Sequence, residues 1–225
     1  ILGTEAALRE LVRAFLVGGL IYSLPILIEV RLSPQLNTWI FGFFQHSFDQ
    51  MMRWGGFRPI VFLPHALWVA LYVLMAVICA ISLVRHSDAE DRPRLTAAAL
   101  YLVVVLVLCK SLGSLVYLAL FAPLVFLASR KMMLTVAAAI AVAVLLYPIL
   151  RGAGYVPVDR FIQQFASISA DRAGSLGFRL YNEGILLEHA FERPWFGWGG
   201  WDRNLVHDAI SGRVTTISDG QWVIV

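Results

Sequence analysis

Five apolar runs fix what this chain can fold into. They cover roughly residues 12–30, 60–84, 95–109, 112–129 and 132–150. A helix needs roughly 20 apolar residues to cross about 30 Å of hydrocarbon, and each run is long enough or nearly so. In lipid, backbone N–H and C=O groups must be satisfied within the segment, so such runs fold as helices. Composition agrees: 59% of residues are hydrophobic and 15% charged, where soluble domains carry roughly 25% charged residues. The expected fold is all-α, a polytopic transmembrane helical protein. Residues 1–150 would hold five transmembrane helices, and 151–220 a large extracytoplasmic loop containing short helices. Residues 221–225 would open a further, truncated span. The third run is short on its own. Lys110 and Gly113 mark a reversal after it, because one helix over 95–129 would overshoot the bilayer. The chain opens on Ile1 without a visible signal peptide and closes on the apolar QWVIV, so it reads as a fragment of a larger protein.

Orientation follows from Lys and Arg. With Arg9 and Arg13 cytoplasmic, Arg85, Arg92, Arg94, Arg130 and Lys131 are cytoplasmic too, seven cations against four (Arg31, Arg53, Arg58, Lys110) in the short opposite loops. The segment after Arg151 then lies outside. Its seven arginines do not contradict this, since long loops translocate regardless of charge. Net charge +3 needs no nucleic acid to explain it, and no basic groove with stacking aromatics is visible. Cys79 and Cys109 both sit in apolar runs, with no disulfide framework or metal-ligand spacing.

Two outer segments carry the remaining chemistry. Residues 31–59 are rich in aromatics (Trp39, Phe41, Phe43, Phe44, Phe48, Trp54, Phe57), which suits the headgroup layer. Residues 151–220 form a loop of about 70 residues, and loops that long are usually functional. Within it, Leu176, Leu180, Leu187 and Phe191 follow helical spacing, with Ser175 as the N-cap. Arg179 and Glu183 stand at i and i+4 on one face. They read either as a surface ion pair or as a guanidinium held by a carboxylate beside a cleft. Pro194 ends the helix. The turn that follows presents Trp195, Phe196, Trp198 and Trp201 among Gly197, Gly199 and Gly200, flat rings that suit a sugar or a membrane surface.

No phosphate-loop Lys-Ser/Thr follows the glycines. His189 and His207 have no second histidine at zinc spacing, and neither a Gly-x-Ser-x-Gly nor a Cys–His pairing supports a hydrolase. His65, at the mouth of the second span, is a functional candidate or an interfacial hydrogen-bonding residue.

The R-x-x-x-E helix, the E-R-P-W-F-G-W-G-G turn and the polar Ser218-Asp219-Gly220-Gln221-Trp222 before a span together resemble the bacterial O-antigen ligase and O-antigen polymerase superfamily, including exopolysaccharide polymerases. Gly56-Phe57-Arg58-Pro59 and Lys110-Ser111-Leu112-Gly113-Ser114 occupy the places of two further family motifs. The resemblance implies a glycosyltransferase of the bacterial inner membrane, with its long loop facing the periplasm. The donor would be an undecaprenyl-pyrophosphate-linked glycan and the acceptor a glycan or glycolipid, with no cofactor, no metal and no nucleic acid. A pyrophosphate leaving group handled without Mg²⁺ requires guanidinium or ammonium groups. The candidates are Arg179, Arg193, Arg58 and Lys110. Glu183 and Asp219 are candidates for the base that takes the acceptor proton, and Trp195, Gly197, Trp198, Gly199 and His65 for substrate contacts. The sequence departs from the family at Asp219, where a His is usual, at Leu112, where an Arg is usual, and at the missing Asn near His65. The first of these favours a polymerase-type member. The alternatives are a transporter or flippase of lipid-linked glycan, although the spans are nearly free of charge and show no repeat, and a non-catalytic membrane assembly protein.

Overall fold

The computed structural model describes residues 3–53, 55–167 and 170–217. Eight α-helices occur among the described residues, in two compact units, residues 1–133 and 134–225.

In the first unit, α1 (Glu5–Leu32) starts at Thr4, whose Oγ1 accepts the Ala7 N–H at 3.2 Å. Its buried positions, Leu16, Gly19, Ser23, Ile26 and Glu29, recur every three or four residues and form one stripe. That stripe packs on α3 (Ala66–Arg85). Gly19 lies so close to Ala76 that an added Cβ would overlap it; small residues let two helix backbones meet where lipid provides no hydrophobic drive. α3 is the central helix, packed also on α4 (Arg92–Leu108) and α5 (Leu112–Leu127). Ile26, Val73, Val77, Leu102 and Leu106 lie in the shared core. The chain reverses between α4 and α5 at Lys110, which has φ +51°, a left-handed conformation uncommon for a residue with a Cβ. At the far end of α5, Arg85 Nη1 donates to Val125 O at 2.7 Å and Ala128 O at 2.8 Å. Helix C-terminal carbonyls lack intrahelical donors and favour a cation.

Between α1 and α3 the chain is not a plain loop. A short α2 (Leu36–Phe41) stops at Gly42 in the left-handed region. A 3₁₀ turn (Phe48–Met51) then leads into the antiparallel strands β1 (Met52–Arg53) and β2 (Gly56–Phe57), with Met52 opposite Phe57 and Arg53 opposite Gly56. Trp39, Phe41, Phe43 and Phe48 are exposed, while Phe44 packs against Met51, Ile60 and Ala66. Trp54 lies outside the described residues.

In the second unit, α6 (Arg130–Gly152) has no fully buried residue, and α7 (Val158–Ala166) packs on α8 (Ala170–Phe191). α8 corrects the expectation of short helices with Ser175 as an N-cap. It is 22 residues long and begins at Ala170, which puts Ser175 inside it. Ala173 is buried and Gly177 faces Ile162 of α7. Packing of that face extends the helix past the local start signal, as tertiary contacts commonly do.

α1, α3 and α6 are each long and apolar enough to cross a membrane, and α5 is a shorter apolar helix.

Candidate functional site

Each unit holds polar groups that chemistry can use. In the first, the organising residue is Glu29, which the sequence reading did not single out although it is an acid within an apolar run. Glu29 is fully buried. Its Oε1 accepts the Leu36 N–H at 3.0 Å, and its Oε2 accepts the Ile60 and Val61 N–H groups at 2.9 and 2.7 Å. The carboxylate thus pins both ends of the 33–65 segment to α1. Val61 has φ +51°. A β-branched residue rarely adopts that conformation, which persists only where the surroundings enforce it.

The pinned segment delivers Arg58 to the interior. Arg58 is 5% exposed. Its backbone N–H bonds to Met51 O at 2.7 Å, and its charge is felt by Cys109 at the end of α4. Its Nε is buried with no hydrogen-bond partner among the described residues. Burial holds the guanidinium below its ordinary value, and the positive charge of Arg53 pushes the same way. Lys110 joins them: its Nζ donates to Arg53 O at 2.8 Å and lies against Gly56. A side chain at Gly56 would displace that ammonium. Arg53 links the two: its charge acts on Arg58 and its carbonyl holds Lys110 Nζ, and no carboxylate among the described residues pairs with Arg58.

His65 has a different place. It caps α3, its Nδ1 accepting the Leu67 N–H at 3.0 Å, and its ring meets His46 edge-on at 4.6 Å.

In the second unit, Glu183 Oε1 accepts the Tyr147 hydroxyl at 2.6 Å and lies 3.5 Å from Arg151 Nε. That Nε makes no hydrogen bond, so the contact is ionic only. Both side chains are mostly buried, 12% exposed for Glu183 and 19% for Arg151. Arg151 Nη2 also reaches Leu180 O at 3.4 Å. Tyr147 and Arg151 were not legible as partners, because they lie over thirty residues upstream on another helix. Arg179 is exposed one turn before Glu183 on α8.

After α8, Trp198 gathers its neighbours. Its Nε1 donates to His189 O at 2.7 Å, the His189 ring stacks on it at 4.1 Å, and the Arg193 guanidinium lies 3.9 Å from its centroid, a cation–π distance. Gly197 and Gly199 take positive φ around it. Trp195, Phe196 and Trp201 are left 88%, 97% and 95% exposed. Asp219 lies outside the described residues. No group of three or more His, Cys, Asp or Glu side chains suited to a metal occurs among the described residues. Compared with protein-family models, curated proteins and solved structures, the chain matches none.

Proposed function

We propose that the chain is the core of a polytopic membrane glycosyltransferase whose donor is a glycan on polyprenyl pyrophosphate. The observation that carries this reading is Arg58, a buried guanidinium with an unsatisfied Nε on which the positive charge of Arg53 acts, with Lys110 Nζ on the Arg53 carbonyl. An arginine does not shed its proton at physiological pH, and an uncompensated buried charge is strongly destabilising. A multiply charged anion answers that deficit, and the phosphate oxygens of a pyrophosphate match the guanidinium fork. The apolar helices supply a lipid environment for the polyprenyl tail. The charge bias puts the Arg58 end of the bundle on the outer face of a bacterial plasma membrane.

In the reaction, an acceptor hydroxyl oxygen attacks the anomeric carbon. The bond from that carbon to the pyrophosphate oxygen breaks and its electron pair leaves with the pyrophosphate. The hydroxyl proton passes to a carboxylate. Cations preorganised around the leaving group stabilise the charge as it develops. Glu183, oriented by Tyr147 and Arg151, is the carboxylate favoured for the proton, with Asp219 as the other candidate.

The test is glycan elongation by the purified full-length protein from a lipid-linked donor, comparing wild type with Arg58→Ala and Arg58→Lys at equal protein level. The reading expects a loss of about 100-fold or more for Arg58→Ala and incomplete rescue by Lys, which lacks the fork. Full elongation by Arg58→Ala refutes it. Wild-type protein that moves the donor across a bilayer without elongating it favours the transporter reading.

A further inference from the structure

The opposite end of the first unit holds a second polar cavity that the reaction above does not use. It lies where α1 begins, α3 ends and α4 begins, and it has two adjoining lobes that share Arg9, Leu83 and His86. One lobe, of about 300 Å³, is lined by Arg9, Arg13, Arg94, Asp88 and Asp91, a volume at the lower bound of roughly 300–1,000 Å³ for small-ligand sites. The other, of about 710 Å³, has Ala6, Leu8, Val12 and Leu83 on its wall together with Glu5, Glu10 and Ser82.

The charges in the smaller lobe are not spent on one another. Arg9 donates to the His86 carbonyl at 3.2 Å, and Arg13 pairs with Glu10, which lines the larger lobe. Among the described residues, the side chains of Arg94, Asp88 and Asp91 make no hydrogen bond or ion pair. Guanidinium and carboxylate groups thus face one small space without closing on each other. A ligand that satisfies both signs must carry an anionic and a cationic group a short distance apart. The apolar wall of the adjoining lobe, Ala6, Leu8, Val12 and Leu83, adds room for a hydrocarbon portion. Leu8, on its wall, is 49% exposed.

We infer that this cavity binds an aminophospholipid. Its phosphate lies on Arg94 and Arg9, its ammonium on Asp88 and Asp91, and an acyl chain lies along Leu8, Val12 and Leu83. The lipid comes from the leaflet at the Arg9 end, which the charge bias assigns to the cytoplasm. Arg94 provides the bidentate phosphate contact that a lysine would not reproduce. The carboxylates set the preference for a zwitterionic over an anionic headgroup, because a second negative charge would sit against them. The inference rests on the membrane reading of α1 and α3 and not on glycosyl transfer.

Native mass spectrometry of the full-length protein in detergent tests it, with phosphatidylethanolamine, phosphatidylglycerol, glycerophosphoethanolamine and inorganic phosphate as probes. The expected result is retained phosphatidylethanolamine that neither soluble compound displaces. Retention falls at least tenfold in Arg94→Ala, and the Asp88→Asn/Asp91→Asn variant shifts preference toward phosphatidylglycerol. Arg94 and both aspartates are exposed, and unchanged melting temperatures verify folding. Equal retention by wild type and Arg94→Ala overturns the site. Displacement by inorganic phosphate overturns the lipid and leaves a soluble-anion site. Arg58→Ala must leave this binding intact, so failure of the catalytic proposal and failure of this one are separable.

Discussion

The two ends of the helical bundle in the first unit are built from the same cations and treat them oppositely. At the Arg9 end, Arg9, Arg13, Arg92 and Arg94 share the surface with Glu5, Glu10, Asp88, Glu90 and Asp91, all exposed. Charges there can rearrange, and each pair contributes at most about 1 kcal/mol. At the other end, Arg58 is buried under the charge of Arg53, Lys110 Nζ rests on the Arg53 carbonyl, and the buried carboxylate Glu29 has committed its oxygens to three backbone N–H groups. A mixed, hydrated cluster keeps the chain at an interface. A buried guanidinium without a counter-ion is costly unless something from outside completes it, and that contrast is what motivates the anion proposed for the Arg58 end.

The most direct way to break the comparison is to give the Arg58 end a carboxylate of its own. Cys109 is buried beside Arg58. Cys109→Asp would place an anion there permanently, while Cys109→Asn would supply similar shape without charge. Glycan elongation should fall about 100-fold in the aspartate variant, the scale of losing a preorganised charge contact. Melting temperature should change less than activity, because the new charge answers the old one. The asparagine variant should keep far more activity. Equal loss in both would show that volume, not charge, decides the site.

Next in size is the pin that creates the asymmetry. Glu29→Ala leaves the Leu36, Ile60 and Val61 N–H groups without acceptors. At about 1–3 kcal/mol per unsatisfied buried group, destabilisation of about 3 kcal/mol or more is expected in thermal unfolding of the detergent-solubilised protein. Release of Val61 from its strained φ offsets part of that. A loss under about 1 kcal/mol would mean that the 33–65 segment is held by its apolar contacts alone.

These two residues show what was legible in the sequence. Helices announce themselves through local composition, and apolar runs mark α1, α3, α4, α5 and α6. Arg58 and Lys110 are legible only through the resemblance, as cations within two family-like motifs. Their link through Arg53 is not, because it depends on a hairpin whose strands are two residues each, too short for an alternating pattern to register. Glu29 offered a signal, an acid in an apolar run, but its partners are backbone groups up to 32 residues away, which no side-chain motif encodes. The start at Ser175 misled for the same reason: α7 decides where α8 begins. The Tyr147–Glu183–Arg151 arrangement joins helices that only the tertiary fold brings together.

That arrangement supplies a smaller test, since it shows a carboxylate with its cation present, the condition Arg58 lacks. Tyr147→Phe removes a hydrogen bond to a charged acceptor, and about 1.5 kcal/mol of stability should go with it. If Glu183 takes the acceptor proton, kcat for elongation should also fall in Tyr147→Phe, with KM for donor unchanged. A stability loss with kcat unchanged would leave Glu183 structural and pass the base role to Asp219.

The smallest expected effect lies at Asp208, a carboxylate satisfied by hydrogen bonds instead of by a cation. The Ser211 N–H at 2.6 Å, the Ser211 hydroxyl at 2.8 Å and the Ile210 N–H at 3.1 Å all donate to its Oδ1. They hold the carboxyl below its ordinary value, the Ser211 N–H foremost. A folded value below the unfolded one, about 3.9, means that the stabilisation is complete above that pH and is lost as pH falls through the folded value. The 206–216 turn, closed by Thr215 N–H to Val206 O and Asp208 N–H to Arg213 O, should therefore keep its amide protection at pH 5 and lose it in strong acid. Hydrogen exchange of the Thr215 amide, corrected for intrinsic rates, reads this directly. Asp208→Asn, which cannot gain a proton in this range, should flatten the dependence. Parallel profiles in wild type and variant would assign the acid response to another group and leave Asp208 an ordinary exposed turn residue.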